Sequence, residues 1–174
     1  MRTLACLICL LLIGADTVRA QAPAELRVKA AFVYNFTQFI TWPAAPAQGE
    51  SPVIVGILGS AGMRPALADI LRAKEQKSRR YEVRVFESPE EVRNCRILFV
   101  DLPRPRVAQA LKVLPRTGLL TIGIGEEFAR QGGVIALVMD GNRVKFDLNL
   151  AAAERDSLKV DPTLLGLARV AGRW

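Results

Sequence analysis

Ser60 stands where a nucleophile would be useful, in Gly59-Ser60-Ala61-Gly62 between an apolar run and a helical pattern. A serine attacks only beside a base that takes its proton, and no base is identifiable. The 174 residues contain no histidine. That removes the usual general base, the usual zinc ligand and any triad centred on imidazole. The elbow motif G-x-S-x-G is not matched, so Ser60 reads first as a turn residue. The glycines of Gly56–Gly62 match neither G-x-G-x-x-G nor G-x-x-x-x-G-K-[ST]. Free N–H groups at the following helix start could still hold an anion, but a tight turn explains the glycines more simply. Glu90-Glu91 and Glu126-Glu127 are sequence neighbours at helix starts, where acids complement the helix dipole; catalytic carboxylates must instead converge in space. No enzyme, no metal site and no cofactor are expected.

What remains is binding, and the stretch best suited to it is Lys29–Pro43. Five of the eleven aromatic residues fall here: Phe32, Tyr34, Phe36, Phe39 and Trp42. With Leu26, Ala30, Val33 and Ile40 they predict an amphipathic helix with a wide apolar face. Trp42-Pro43 should end it, because a residue before proline is pushed out of helical geometry. A first helix docked on a sheet accounts for one apolar face. A wider face suits a partner as well, and Tyr34, Phe36, Phe39 and Trp42 are the expected contact residues, beside Asn35 and Gln38.

The elements that would position these residues follow from the rest of the chain. Arg2, the apolar run Leu4–Ile13 and Val18-Arg19-Ala20 before Gln21 have the form of a cleaved export signal, so residues 1–20 are read as a leader and 21–174 as a single domain. The apolar run is too short to span a bilayer, which points to an exported protein. Removal of the leader takes Cys6 and Cys9 and leaves Cys95, expected as a small buried hydrophobe. Half of the residues are hydrophobic, enough for a core, and the net charge of +7 is scattered apart from Lys74–Arg80 and Pro103–Arg106. Such runs can attract phosphate or lipid, although a solvated face is the commoner cause. An exported protein rarely meets nucleic acid, so none is expected as a partner.

Val53–Leu58, Ile97–Val100 and Leu119–Ile124 are continuous apolar runs, as for strands buried on both faces. Tyr81–Phe86 alternates, with Tyr81, Val83 and Val85 on one face. Helices are expected at Met63–Ala73, Pro105–Leu114, Glu126–Arg130 and Ala151–Ser157, with a short one opened by a Ser88 cap. A last one, capped by Asp161-Pro162, should turn Leu164, Leu165, Leu167 and Val170 inward. Val134–Met139 and Arg143–Leu150 flank Asp140-Gly141-Asn142, a hairpin signal. The fold expected is α/β: one domain, a mostly parallel twisted sheet with helices on both faces, and an antiparallel C-terminal hairpin. A pocket in such a fold belongs beyond the carboxyl ends of the strands, where Gly59, Ser60, Asp101, Gly123 and Gly125 lie. The polar hairpin face, with Lys145, Asp147 and Asn149, is a second candidate ligand site; a solvated strand face is the plainer account of it.

Several segments together resemble the YfiR family of exported bacterial proteins: KAAFVYNFTQFITWP at Lys29–Pro43, VIVGILG at Val53–Gly59, NCRILFV at Asn94–Val100, the stretch Leu119–Leu150, and PTLLGLARV at Pro162–Val170. The resemblance covers nearly all of 21–174. It implies a periplasmic regulator that binds the periplasmic part of an inner-membrane diguanylate cyclase, lowers cyclic di-GMP, and is itself sequestered by an outer-membrane lipoprotein. Other relatives serve sensor kinases or other receptors. The glycine-rich strand ends and nearby basic residues suit a second reading, a small-molecule-sensing subunit for such a receptor, and a homodimer is a further expectation. The disulfides of well-understood members do not transfer, since Cys95 stands alone.

Overall fold

A computed structural model of the chain describes residues 17–43, 52–75 and 80–174, with side chains from residue 24 onward. Most of the expected leader, with Cys6 and Cys9, lies outside these residues, as do 44–51 and 76–79 of the basic run.

The first helix, α1 (Thr17–Phe36), stops six residues before Trp42. Its last carbonyls accept tight three-residue bonds from Thr37, Gln38 and Phe39, and Thr37 Oγ1 donates to the Tyr34 carbonyl at 2.7 Å. The β-branched pair Ile40-Thr41 forms β1 (Ile40–Thr41), antiparallel to Lys159-Val160. The aromatic stretch is therefore a helix, a turn and a short strand, because side-chain and strand partners close the helix before proline can.

β2 (Val53–Gly59), α2 (Arg64–Lys74) and β3 (Tyr81–Phe86) follow, then β4 (Ile97–Asp101), α3 (Arg104–Val113), β5 (Leu120–Ile124) and α4 (Glu126–Arg130). The chain closes with β6 (Ile135–Asp140), β7 (Arg143–Asn149), α5 (Leu150–Arg155), β8 (Lys159–Val160), α6 (Pro162–Leu167) and β9 (Val170–Gly172). Seven strands make one sheet in the order β3-β2-β4-β5-β6-β7-β9, and β1 with β8 makes a separate two-stranded sheet. Pairing is parallel except at the β6–β7 hairpin, whose turn holds Gly141 at φ +58°. β2, β4 and β5 are the unbroken apolar runs of the sequence, and they sit at the centre, covered on both faces.

One face packs Val55, Ile57, Phe99 and Ile122 against α1 and α2, with Ala152, Ala153 and Leu164 closing the far side. The other packs Leu58, Leu98 and Val100 beneath Val107, Leu111 and Phe128 of α3 and α4. The expected single-domain α/β sheet with a C-terminal hairpin is the fold observed. Three local expectations differ. Pro89–Glu91 is a single 3-10 turn without a Ser88 cap bond; the Glu91 carboxylate accepts instead from Glu87 N–H at 3.1 Å. Leu167 and Val170 point outward, 63% and 42% exposed, since the short α6 buries Leu164 while β9 is a sheet edge. Val85 is exposed because β3 is the opposite edge.

Candidate functional site

The aromatic residues of the first segment do not share one surface. Phe36 is 1% exposed, its ring 5.0 Å from Phe146 in an edge arrangement and 5.8 Å from Phe32. Its whole ring is committed to the core, which removes it from the contact set. Tyr34 is half-buried towards the β3 edge, edge-on to Tyr81 at 6.1 Å and beneath Lys74 Nζ at 5.7 Å. Phe39 and Trp42 lie on the other side, beside β8. The Phe39 carbonyl accepts from Asp161 N–H at 2.9 Å. Trp42 lines a groove of about 420 Å³ with Thr41, Pro43, Glu154, Ser157, Leu158 and Lys159. Its indole Nε1 is buried and has no hydrogen-bond partner among the described residues. Such a donor is costly to leave idle, and nothing in the sequence pattern signals it.

The polar positions of β7 are a solvated face only in its first half. Asp147 and Asn149 are 3% and 0% exposed. Arg169 forks onto Asp147 at 2.8 and 2.6 Å and reaches Glu126 at 2.8 Å, which raises the guanidinium pKa. Asn149 Nδ2 donates to the Ala129 carbonyl at 2.7 Å, and its Oδ1 caps α5 by accepting Ala152 N–H at 3.0 Å. Both residues are thereby spent on joining β7 to its neighbours. Arg143 and Lys145, nearer the turn, face outward, and Lys145 pairs with Asp140 across the hairpin.

The carboxyl-end residues divide similarly. Gly59, at φ +103°, lets the chain pass over β4: a Cβ there would lie 2.3 Å from the Asp101 carbonyl oxygen, which accepts Ser60 N–H at 3.2 Å. Ser60 Oγ accepts Gly62 N–H at 3.3 Å, a local turn bond. Gly123 holds no ligand space, because the Phe128 ring fills it; a Cβ would meet that ring at 2.2 Å, and at Gly133 at 2.1 Å. Gly125 N–H is taken by the Leu137 carbonyl at 2.8 Å. Gly59 and Gly125 thus lie at the ends of β2 and β5, separated in the sheet by β4.

The larger cavity, about 590 Å³, lies at the opposite, amino edge of the parallel strands. Ile54, Val92 and Leu119 form its apolar part, and Glu82, Arg84, Asn94, Cys95 and Arg96 its polar part. Cys95 Sγ is 2.9 Å from the Ile97 carbonyl, and burial pushes the thiol up to about 12. Among the described residues there is no group of three or more acidic or cysteine side chains suited to a metal, and no helix long and apolar enough to cross a membrane.

Parallel sheet and C-terminal hairpin define a single α/β domain. The chain belongs to the YfiR/HmsC-like family (DUF4154), whose profile matches residues 26–169. That family consists of periplasmic regulators of diguanylate cyclase signalling rather than catalysts. No curated protein matches the chain. Among solved structures it is similar to a conserved domain protein from Vibrio cholerae O1 biovar El Tor, with TM-score 0.56 and 8% identity, over 84% of this chain and 60% of that one. It is also matched to the ABC domain in complex with L-Trp from Streptococcus pneumoniae, with TM-score 0.47 and 12% identity, over 69% and 55% of the two chains. The chain thus spans about 60% of the length of the Vibrio protein, and that likeness concerns fold alone.

Proposed function

We propose that this protein is exported, loses residues 1–20, and represses or tunes a membrane-anchored diguanylate cyclase by direct contact with its periplasmic part. Family membership supports the regulatory role, and Trp42 is the observation that carries the contact. The indole is half-buried, and the part of it that lines the groove offers a partner a large aromatic surface. Half-buried Phe39, three residues earlier, and the adjoining groove add apolar area, the usual composition of an interface anchor. Tyr34, on the β3 side, forms a separate contact. Docking of a second partner at the same place, an outer-membrane lipoprotein, excludes the receptor, and occupancy shifts the cyclase between active and inactive populations.

The experiment is co-purification from detergent-solubilised membranes with the mature chain, followed by direct titration of the captured receptor's periplasmic domain. Trp42→Ala and Phe39→Ala are expected to lose the receptor while remaining folded. Loss of folding in both would return these side chains to the core.

A further inference from the structure

The seven-stranded sheet ends in two unlike edges. On one side β9 is three residues long and lies between Arg169 and Arg173, each committed to an acidic partner. Short strands with charged flanks are ordinary protection against edge pairing. The other edge, β3, is six residues long and matched one to one with β2 from Tyr81 to Phe86. Its sequence YEVRVF has no proline or lysine, and no bulge interrupts the register. Val53 N–H donates to the Arg80 carbonyl at 2.8 Å. Backbone groups of alternate residues turn to opposite sides of a strand, so those of Glu82 and Arg84 also face β2, while those of Tyr81, Val83 and Val85 face away. Tyr81 N–H accordingly leaves the sheet and donates to Glu75 Oε1 at 3.1 Å. Among the described residues the N–H and C=O groups of Val83 and Val85 have no partner. The Val85 side chain is 37% exposed.

We propose that this edge pairs with β3 of a second copy of the chain, antiparallel about a two-fold axis through Val83. In such a self-complementary contact outward backbone groups must meet outward groups, which restricts the register. With the axis at Val83, that residue meets its own copy and Tyr81 meets the partner's Val85, both as hydrogen-bonded pairs. Glu82 then falls opposite the partner's Arg84 on either side of the axis, at the closer, non-hydrogen-bonded positions where cross-strand side chains interact most. An axis at Glu82 or Arg84 would set like charge against like, and one at Val85 would set Arg84 against Phe86. Within one copy the Glu82 carboxylate accepts Arg84 Nε–H and Nη2–H at 2.6 and 3.1 Å. Across the axis the remaining guanidinium donors meet the second carboxylate, so the charges alternate in sign and balance. On the opposite face the pairing covers Val85 with Tyr81. An edge of this length is a small contact, and the expected Kd is roughly 1–100 µM. The proposal is independent of the receptor contact at Trp42.

The test is sedimentation equilibrium of the exported, purified protein over a concentration series, with circular dichroism to verify that each variant is folded. Wild type is expected to approach a dimer. Glu82→Arg opposes two guanidinium groups across the axis and Arg84→Glu two carboxylates, so each should weaken dimerisation about tenfold or more. Neither position is buried, so the fold is kept. An equimolar mixture of these two single variants should recover wild-type association, because each copy then opposes the other's charges. The double variant Glu82→Arg/Arg84→Glu should recover it alone. Val83→Pro removes an outward N–H and no bond to β2, and should abolish dimerisation. A wild type that stays monomeric up to about 1 mM, dimerisation unaffected by either single variant, or single variants that fail to recover on mixing would each overturn the proposal.

Discussion

Replacing Trp42 by phenylalanine separates stability from binding. In the isolated protein the indole N–H is buried without an acceptor among the described residues, a deficit of about 1–3 kcal/mol. Phenylalanine removes that deficit but gives up part of the ring; losing roughly 40 Å² of apolar burial at about 25 cal/mol per Å² costs about 1 kcal/mol. The balance lies between neutral and about 2 kcal/mol stabilising. At the receptor the sign reverses. The smaller ring gives up apolar contact worth about 1 kcal/mol there, which raises Kd about 5-fold. Urea denaturation followed by far-UV circular dichroism reads the first quantity, and calorimetric titration of the receptor domain the second. Destabilisation beyond about 1.5 kcal/mol would refute the orphan-donor argument, and an unchanged Kd would remove Trp42 from the interface.

Further expectations concern the fold that holds this surface. Asn149→Ala deletes a helix cap and strands the Ala129 carbonyl, so urea melts should show a loss of about 2–4 kcal/mol. Arg169→Ala leaves the Asp147 carboxylate buried and unpaired, a loss of about 3 kcal/mol; Asp147→Asn in the same background should recover part of it. Gly123→Ala drives a methyl group into the Phe128 ring and should cost about 1–3 kcal/mol, relieved by Phe128→Leu. Burial raises the folded Cys95 pKa from 9.0 to about 12. The neutral thiol is therefore favoured in the folded state: this contribution is intact below about pH 9 and is lost as pH rises from about 9 towards 12. Comparison of wild type with Cys95→Ala across that range should show a steeper alkaline loss in wild type.

The central strands were legible because VIVGIL, ILFV and LLTIGI are apolar throughout but for Thr121, a pattern that only a doubly covered strand requires. The hairpin was legible from Asp140-Gly141-Asn142, whose turn chemistry is local. The end of α1 was not. Proline marks where a helix must stop, while the actual stop depends on β8, more than a hundred residues further on. Alternation along β7 correctly assigned the two faces but not their burial. Asp147 and Asn149 look solvent-facing until Arg169 and the α4 carbonyl are brought over them by the tertiary fold. Gly123 suggested a ligand approach for the same reason: the ring that needs its missing side chain, Phe128, belongs to the next helix. Trp42's unpaired N–H and the amino-edge cavity arise from what the fold fails to cover, which composition and periodicity do not register.

Contact between this domain and a cyclase is tested most directly by reconstituting the co-purified membrane receptor in vesicles and measuring cyclic di-GMP synthesis against added protein. The account predicts saturable repression by the wild type, with Trp42→Ala requiring at least about 30-fold more protein, as expected for loss of an interface anchor. Synthesis unaffected by saturating wild type, or repressed equally by folded Trp42→Ala, would contradict it.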